Sequence, residues 1–181
     1  AIRELKRTEF KELFKEEIAK QDDFVADCTI DTDLEILIPD DYVESIGERL
    51  SLYQRLDNCE TEEELLAMQQ EMEDRFGALP QPVKDLFITV RCRKLAVDLG
   101  FEKMSLKMQT LRCFFINRPD SPYFEAAVFQ KIIEFLQKET NKARLKQTGR
   151  LFLLIANEMN SMIDLHRFLH QMHSFCFANV A

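Results

Sequence analysis

The chain has 181 residues, a formal net charge of -8, 46% hydrophobic residues, four glycines and five prolines. That length suits one domain with a helical appendage, and the acidic balance argues against a nucleic-acid binder that works by broad phosphate neutralisation. Gly47, Gly77, Gly100 and Gly149 lie too far apart to build a G-x-G-x-x-G turn or a GxxxxGK[ST] phosphate loop, so a self-contained nucleotide-driven machine of either type is excluded.

Residues 1 to 20 are rich in both charges and place Leu5, Phe10, Leu13, Phe14 and Ile18 near helical spacing. We read residues 1–22 as a linker helix and 23–181 as a single α+β domain. From 24 to 38 the chain alternates, with Cys28, Ile30, Thr32, Leu34, Ile36 and Ile38 on one side and Asp27, Thr29, Asp31, Asp33 and Glu35 on the other. That period predicts a strand with one wet face. Its acids do not form an EF-hand, which needs a central glycine and a terminal glutamate, and a strand spreads carboxylates in a line.

Pro39 is expected to end this strand, with Asp40 or Asp41 capping a helix that buries Val43, Ile46, Leu50 and Tyr53. Thr61 and Glu64 form a capping box before a second helix burying Leu65, Met68, Met72 and Phe76, with a strongly acidic opposite surface. Gly77 should stop it, and Pro82 should open a third helix, 82 to 98, closed by Gly100. Residues 106 to 116 look like a strand. After the turn 117 to 122 a helix should run to about 139, burying Phe124, Val128, Ile132, Phe135 and Leu136. Arg144–Gln147 and Leu151–Ala156 flank a Thr-Gly-Arg turn as a hairpin, and a last helix occupies roughly 159 to 175. The expected fold is α+β: a helical N-terminal half packed with a small mixed or antiparallel sheet covered by helices.

Charge is unevenly distributed. Residues 21–80 carry 3 basic and 18 acidic side chains, whereas residues 81–181 carry 15 basic and 9 acidic. The acidic third reads either as a solvated face or as a docking surface for a basic protein partner. Arg91, Arg93 and Lys94, followed by Lys103 and Lys107, form the main basic run, which serves internal salt bridges at least as well as phosphate.

His166, His170, His173 and Cys176 recur along one face of the last helix and are all zinc-ligand types, but four ligands from successive turns span too great a length for a tetrahedral site. No metal, cofactor or catalytic residue is therefore expected. No G-x-S-x-G elbow occurs, and carboxylates on a charged helix face lack the burial that raises a catalytic pKa. Five widely spaced cysteines without a CxxC, together with the lack of an apolar membrane-length run or a signal-peptide core, point to the cytoplasm and away from a membrane.

The stretches LIPDDYVESIGERLSLYQRL at 37–56, TEEELLAMQQEMEDRFGALPQPV at 61–83 and LAVDLG at 95–100 together resemble the C-terminal domain of the bacterial transcription-repair coupling factor (Mfd) family. The run Glu71 to Gly77 followed by Leu79, Pro80 and Pro82 is its most specific part; residues 101–181 fit by element order and weakly by LFLLIA. The resemblance implies a non-catalytic regulatory domain, preceded by a helical linker, of a large ATP-driven DNA translocase that removes stalled RNA polymerase and recruits excision repair. It implies docking onto the UvrB-like N-terminal region of the same protein, masking the UvrA-binding surface and keeping the factor repressed. The acidic contacts map onto Glu71 and Asp74; Glu73, at a usually apolar position of the motif, is a possible third. The alternative is a nucleic-acid-binding accessory module that uses Arg91, Arg93, Lys94 and the basic second half.

Overall fold

The computed structural model describes residues 24–138 and 142–178. The expected linker helix, residues 1–22, therefore lies outside the described residues. Within them are five strands, β1 (Thr29–Thr32), β2 (Phe101–Lys107), β3 (Thr110–Phe115), β4 (Ala143–Thr148) and β5 (Leu151–Ala156). Five helices accompany them: α1 (Ile46–Asp57), α2 (Glu62–Phe76), α3 (Gln81–Leu99), α4 (Ala127–Lys138) and α5 (Met162–Phe177). The sheet order is β1-β2-β3-β5-β4, with β1 parallel to β2 and every other pair antiparallel. This is the α+β arrangement expected, with a mixed sheet.

Two apolar cores share one helix. The first half of α3 puts Val83, Phe87 and Val90 among Leu52 and Leu56 of α1 and Leu65, Met68 and Met72 of α2. The second half puts Cys92, Ala96 and Leu99 against Met104, Leu106, Leu111 and Cys113 of the sheet, where α4 and α5 also pack. A nineteen-residue helix reaches about 28 Å at 1.5 Å per residue, long enough to span both layers.

The helix boundaries follow their predicted signals. Thr61 accepts from the Glu64 amide while the Glu64 carboxylate accepts from the Thr61 amide, completing the capping box at α2. Pro82 sits in the first turn of α3. Gly100 ends that helix at φ 89° and ψ 24°, in the left-handed region. A Cβ there would stand 2.2 Å from the ring of Tyr123, which is fully buried and donates its hydroxyl proton to the Leu99 carbonyl. Glycine is thus needed for both backbone and space.

Several expectations are corrected. The alternating stretch 24–38 forms a ladder only over Thr29–Thr32, because the Leu34 amide turns back to the Thr32 hydroxyl at 3.1 Å. Residues 39–43 make a turn, with the Tyr42 and Val43 amides donating to the Pro39 carbonyl, and Ser45 rather than Asp40 or Asp41 caps α1. On α1 the buried residues are Leu52 and Leu56, whereas Ile46 is 67% and Leu50 58% exposed. In place of one strand over 106–116 there is a hairpin, β2 and β3, whose turn holds Met108 and Gln109 at φ 50° and 59°. On α4, Phe129 replaces Val128 as a fully buried residue, and a 3-10 turn (Pro122–Glu125) precedes the helix.

Candidate docking surface

Leu65, Met68 and Met72 bury one side of α2, so at about 100° per residue the opposite side presents Glu63, Gln70 and Asp74 to solvent. Leu66 stands among them and is 53% exposed. Glu71 lies about 60° from Asp74 around the helix, on the shoulder that faces α1. Glu73 falls on the other shoulder, near Tyr42, whose phenol is pushed up by burial and secondarily by the Glu73 carboxylate. The structure thus brings together Glu71 and Asp74 and sets Glu73 apart.

Glu71 is not a loose side chain. Arg55, in the last turn of α1, donates to both of its carboxylate oxygens at 2.8 and 2.6 Å, and Arg75 donates to one at 3.2 Å from one turn along α2. Arg75 also pairs with Glu48 of α1. The Arg55 hydrogen bonds, followed by the pull of both guanidinium charges, hold the Glu71 carboxyl down at about 2. The four groups form a network of zero net charge that fixes the carboxylate at the rim of an open cleft between α1 and α2, of about 350 Å³. Asp74 accepts a hydrogen bond from Gln70 at 3.1 Å and has no cationic partner among the described residues, so it carries unopposed charge. Sequence reasoning missed Arg55, which is 16 residues from Glu71. Arg75, at i+4 of Glu71, was legible from helical spacing.

The basic run is largely occupied. Arg91 makes three contacts of 2.6 to 3.0 Å with Glu62, Arg93 bridges Asp27 and Asp57, and Lys107 pairs with Asp31 at 2.7 Å. Lys103 lies over the Phe114 ring at 5.7 Å, and Lys94 lines an open groove of about 460 Å³ whose walls mix both signs of charge. A phosphate would have to displace carboxylates from Arg91 and Arg93.

On α5, His173 meets Asp98 of α3 at 2.9 Å and stacks on Phe177, while His166 and His170 face each other at 5.9 Å between ring centroids. Among the described residues no group of three or more His, Cys, Asp or Glu is placed to hold a metal ion. Burial pushes the thiols of Cys28, Cys92 and Cys176 up to about 12 and that of Cys113 well above its usual value, opposite to what a nucleophile requires. No helix of the described residues is long and apolar enough to cross a membrane.

These features define a class: an α+β domain whose most distinctive surface is an acidic helix face, with one carboxylate held by two arginines and a second without a cationic partner among the described residues. A profile of the TRCF domain family matches residues 32–126, and the chain belongs to that family. The transcription-repair-coupling factor of Rickettsia conorii is 30% identical over 156 residues, covering 83% of this chain and 13% of that protein. Its Escherichia coli counterpart is 41% identical over 68 residues, 38% of this chain and 6% of that protein. The chain therefore spans only a small part of these curated relatives. A solved structure described as the C-terminal domain of transcription-repair coupling factor superposes with a TM-score of 0.69 at 15% identity, covering 84% of this chain and 96% of that one. That likeness establishes the shared fold.

Proposed function

We propose that this domain is a regulatory clamp in a transcription-repair coupling factor. Through Glu71 and Asp74 it docks onto a basic surface of the UvrB-like N-terminal region of the same protein. Docking covers the surface that UvrA would use and holds the factor repressed until RNA polymerase is engaged on DNA. The observation that carries this reading is the pair of carboxylates about 60° apart on α2, Glu71 at the rim of the α1–α2 cleft and Asp74 with no cationic partner among the described residues. A carboxylate that no cation of its own chain neutralises is available to pair with a basic surface, and a neighbouring carboxylate adds to its field. Glu73 is a secondary contact in this reading, since it lies on the far shoulder of the helix.

The competing nucleic-acid module through Arg91, Arg93 and Lys94 is less favoured, because Glu62, Asp27 and Asp57 already neutralise the two arginines. Titration of the UvrB-like region with the wild-type chain and with E71K/D74K tests the clamp. Truncating one partner of a buried, hydrogen-bonded interface charge pair costs about 2 to 5 kcal/mol, and rim pairs cost less, so the reversal should weaken binding roughly a hundredfold. Equal affinity of the two chains at physiological salt would overturn the proposal.

A further inference from the structure

The face of the sheet turned away from the helices is open among the described residues. Its strand positions follow from the register: Lys103, Ser105 and Lys107 on β2; Thr110, Arg112 and Phe114 on β3; Leu151, Leu153 and Ile155 on β5; Arg144, Lys146 and Thr148 on β4. Strand β5, between β3 and the edge strand β4, is an apolar ridge. Leu151 is 41% exposed and Leu153 partly exposed, while Ile155 is buried but belongs to neither of the two cores. Cations stand on both neighbouring strands. Ile155 is flanked in register by Arg112 and Arg144, and the Phe114–Leu153 pair is flanked by Lys103 and Lys146. The carboxylate at an open-face strand position is Asp31, and Lys107 occupies it. Lys103, Arg112, Arg144 and Lys146 are exposed and make no ion pair among the described residues.

We infer that this open sheet face is a second docking surface, for an acidic amphipathic helix of a protein partner lying along β5. The dimensions match: strands spaced about 4.8 Å apart put Arg112 of β3 and Arg144 of β4 about 10 Å from each other, and Lys103 of β2 and Lys146 of β4 about 14 Å, a span that brackets the diameter of a helix with its side chains. Six residues of strand extend about 20 Å, the length of roughly 13 residues of α-helix. An apolar stripe flanked by carboxylates on both sides would meet leucines along its centre and guanidinium or ammonium groups along each edge. A single-stranded nucleic acid fits less well, because its bases call for several stacking rings and this face offers Phe114 alone among aliphatic side chains. The surface lies on different elements from the α2 face, so the inference stands independently of the clamp.

The test titrates the isotope-labelled full chain with a synthetic helical peptide of about 18 residues bearing one leucine stripe edged by glutamates. A scrambled peptide of the same composition and a single-stranded DNA oligonucleotide serve as comparisons. The expected result is amide shifts confined to residues 110–114, 144–148 and 151–155, weaker binding as salt rises, and roughly tenfold loss of affinity in R112E/R144E. L153D should lose binding while K146Q loses less, and thermal melts of these exposed-site variants verify that each is folded. Shifts mapping elsewhere, equal binding of the scrambled peptide, unchanged affinity in R112E/R144E, or tighter binding of the oligonucleotide at the same residues would each overturn the inference.

Discussion

Replacing Arg55 with alanine separates the two roles that Glu71 plays. In the folded chain Arg55 neutralises and aligns this carboxylate through two hydrogen bonds of 2.8 and 2.6 Å, with side chains 46% and 37% exposed. A half-exposed pair of this kind is worth about 1 kcal/mol at most, the upper end for surface salt bridges, its bidentate geometry being offset by solvent screening. R55A should therefore lower unfolding free energy by up to about that amount in urea titrations. It should also raise the Glu71 carboxyl from about 2 towards its usual value, as read by carboxyl-carbon resonances across an acid titration. The effect on docking has the opposite sign. Without Arg55 the network carries one net negative charge, and at about 5 Å in water an additional unit charge is worth roughly 0.8 kcal/mol to a cationic partner. Calorimetric affinity for the UvrB-like region should then rise about fourfold at low salt, with the gain fading as salt increases. If R55A lost affinity in proportion to lost stability, alignment by Arg55 rather than exposed charge would govern docking, and the electrostatic reasoning would be refuted.

Two further outcomes follow from the packing and from the ionisation of Glu71. Gly100→Ala forces a side chain into the left-handed region against the Tyr123 ring, so a penalty of about 3 kcal/mol is expected in urea unfolding, and a loss below about 1 kcal/mol would contradict the contact. Because the folded pKa of Glu71 lies below its unfolded value, its contribution to stability is present above about pH 4.5 and is lost as pH falls towards 2. Thermal melts of E71Q should consequently fall less between pH 6 and pH 3 than those of the wild-type chain. Parallel acid limbs would contradict the assigned pairing.

The legible parts of the fold were those set by local chemistry. Thr61 with Glu64, Pro82 and Gly100 mark helix ends through groups within a few residues of one another, and the structure places each at the expected boundary. The β4–β5 hairpin was legible for the same reason, since Gly149 supplies its positive φ. The β2–β3 turn was not, because Met108 and Gln109 adopt positive φ without the usual Gly or Asn. Periodicity also misled at α1. Ile46 and Leu50 match a helical repeat with Val43, yet Val43 lies before the helix, and the face that meets α3 is the one carrying Leu52 and Leu56. On the candidate surface, helical spacing was enough to place Glu71 beside Asp74. It gave no sign of Arg55, which reaches Glu71 only because α1 and α2 pack side by side. The cationic rails beside β5 depend on strand order, with β5 inserted between β3 and β4, and no local pattern encodes that order.

The clamp is tested most directly by mapping backbone amide shifts of the labelled chain during titration with the UvrB-like region at physiological salt. The account predicts that the largest shifts fall on α2 between Glu63 and Asp74, with Arg55 following, and that they vanish in E71K/D74K. Shifts confined to β3, β4 and β5 with α2 silent, or persistence of the same shifts in E71K/D74K, would contradict it.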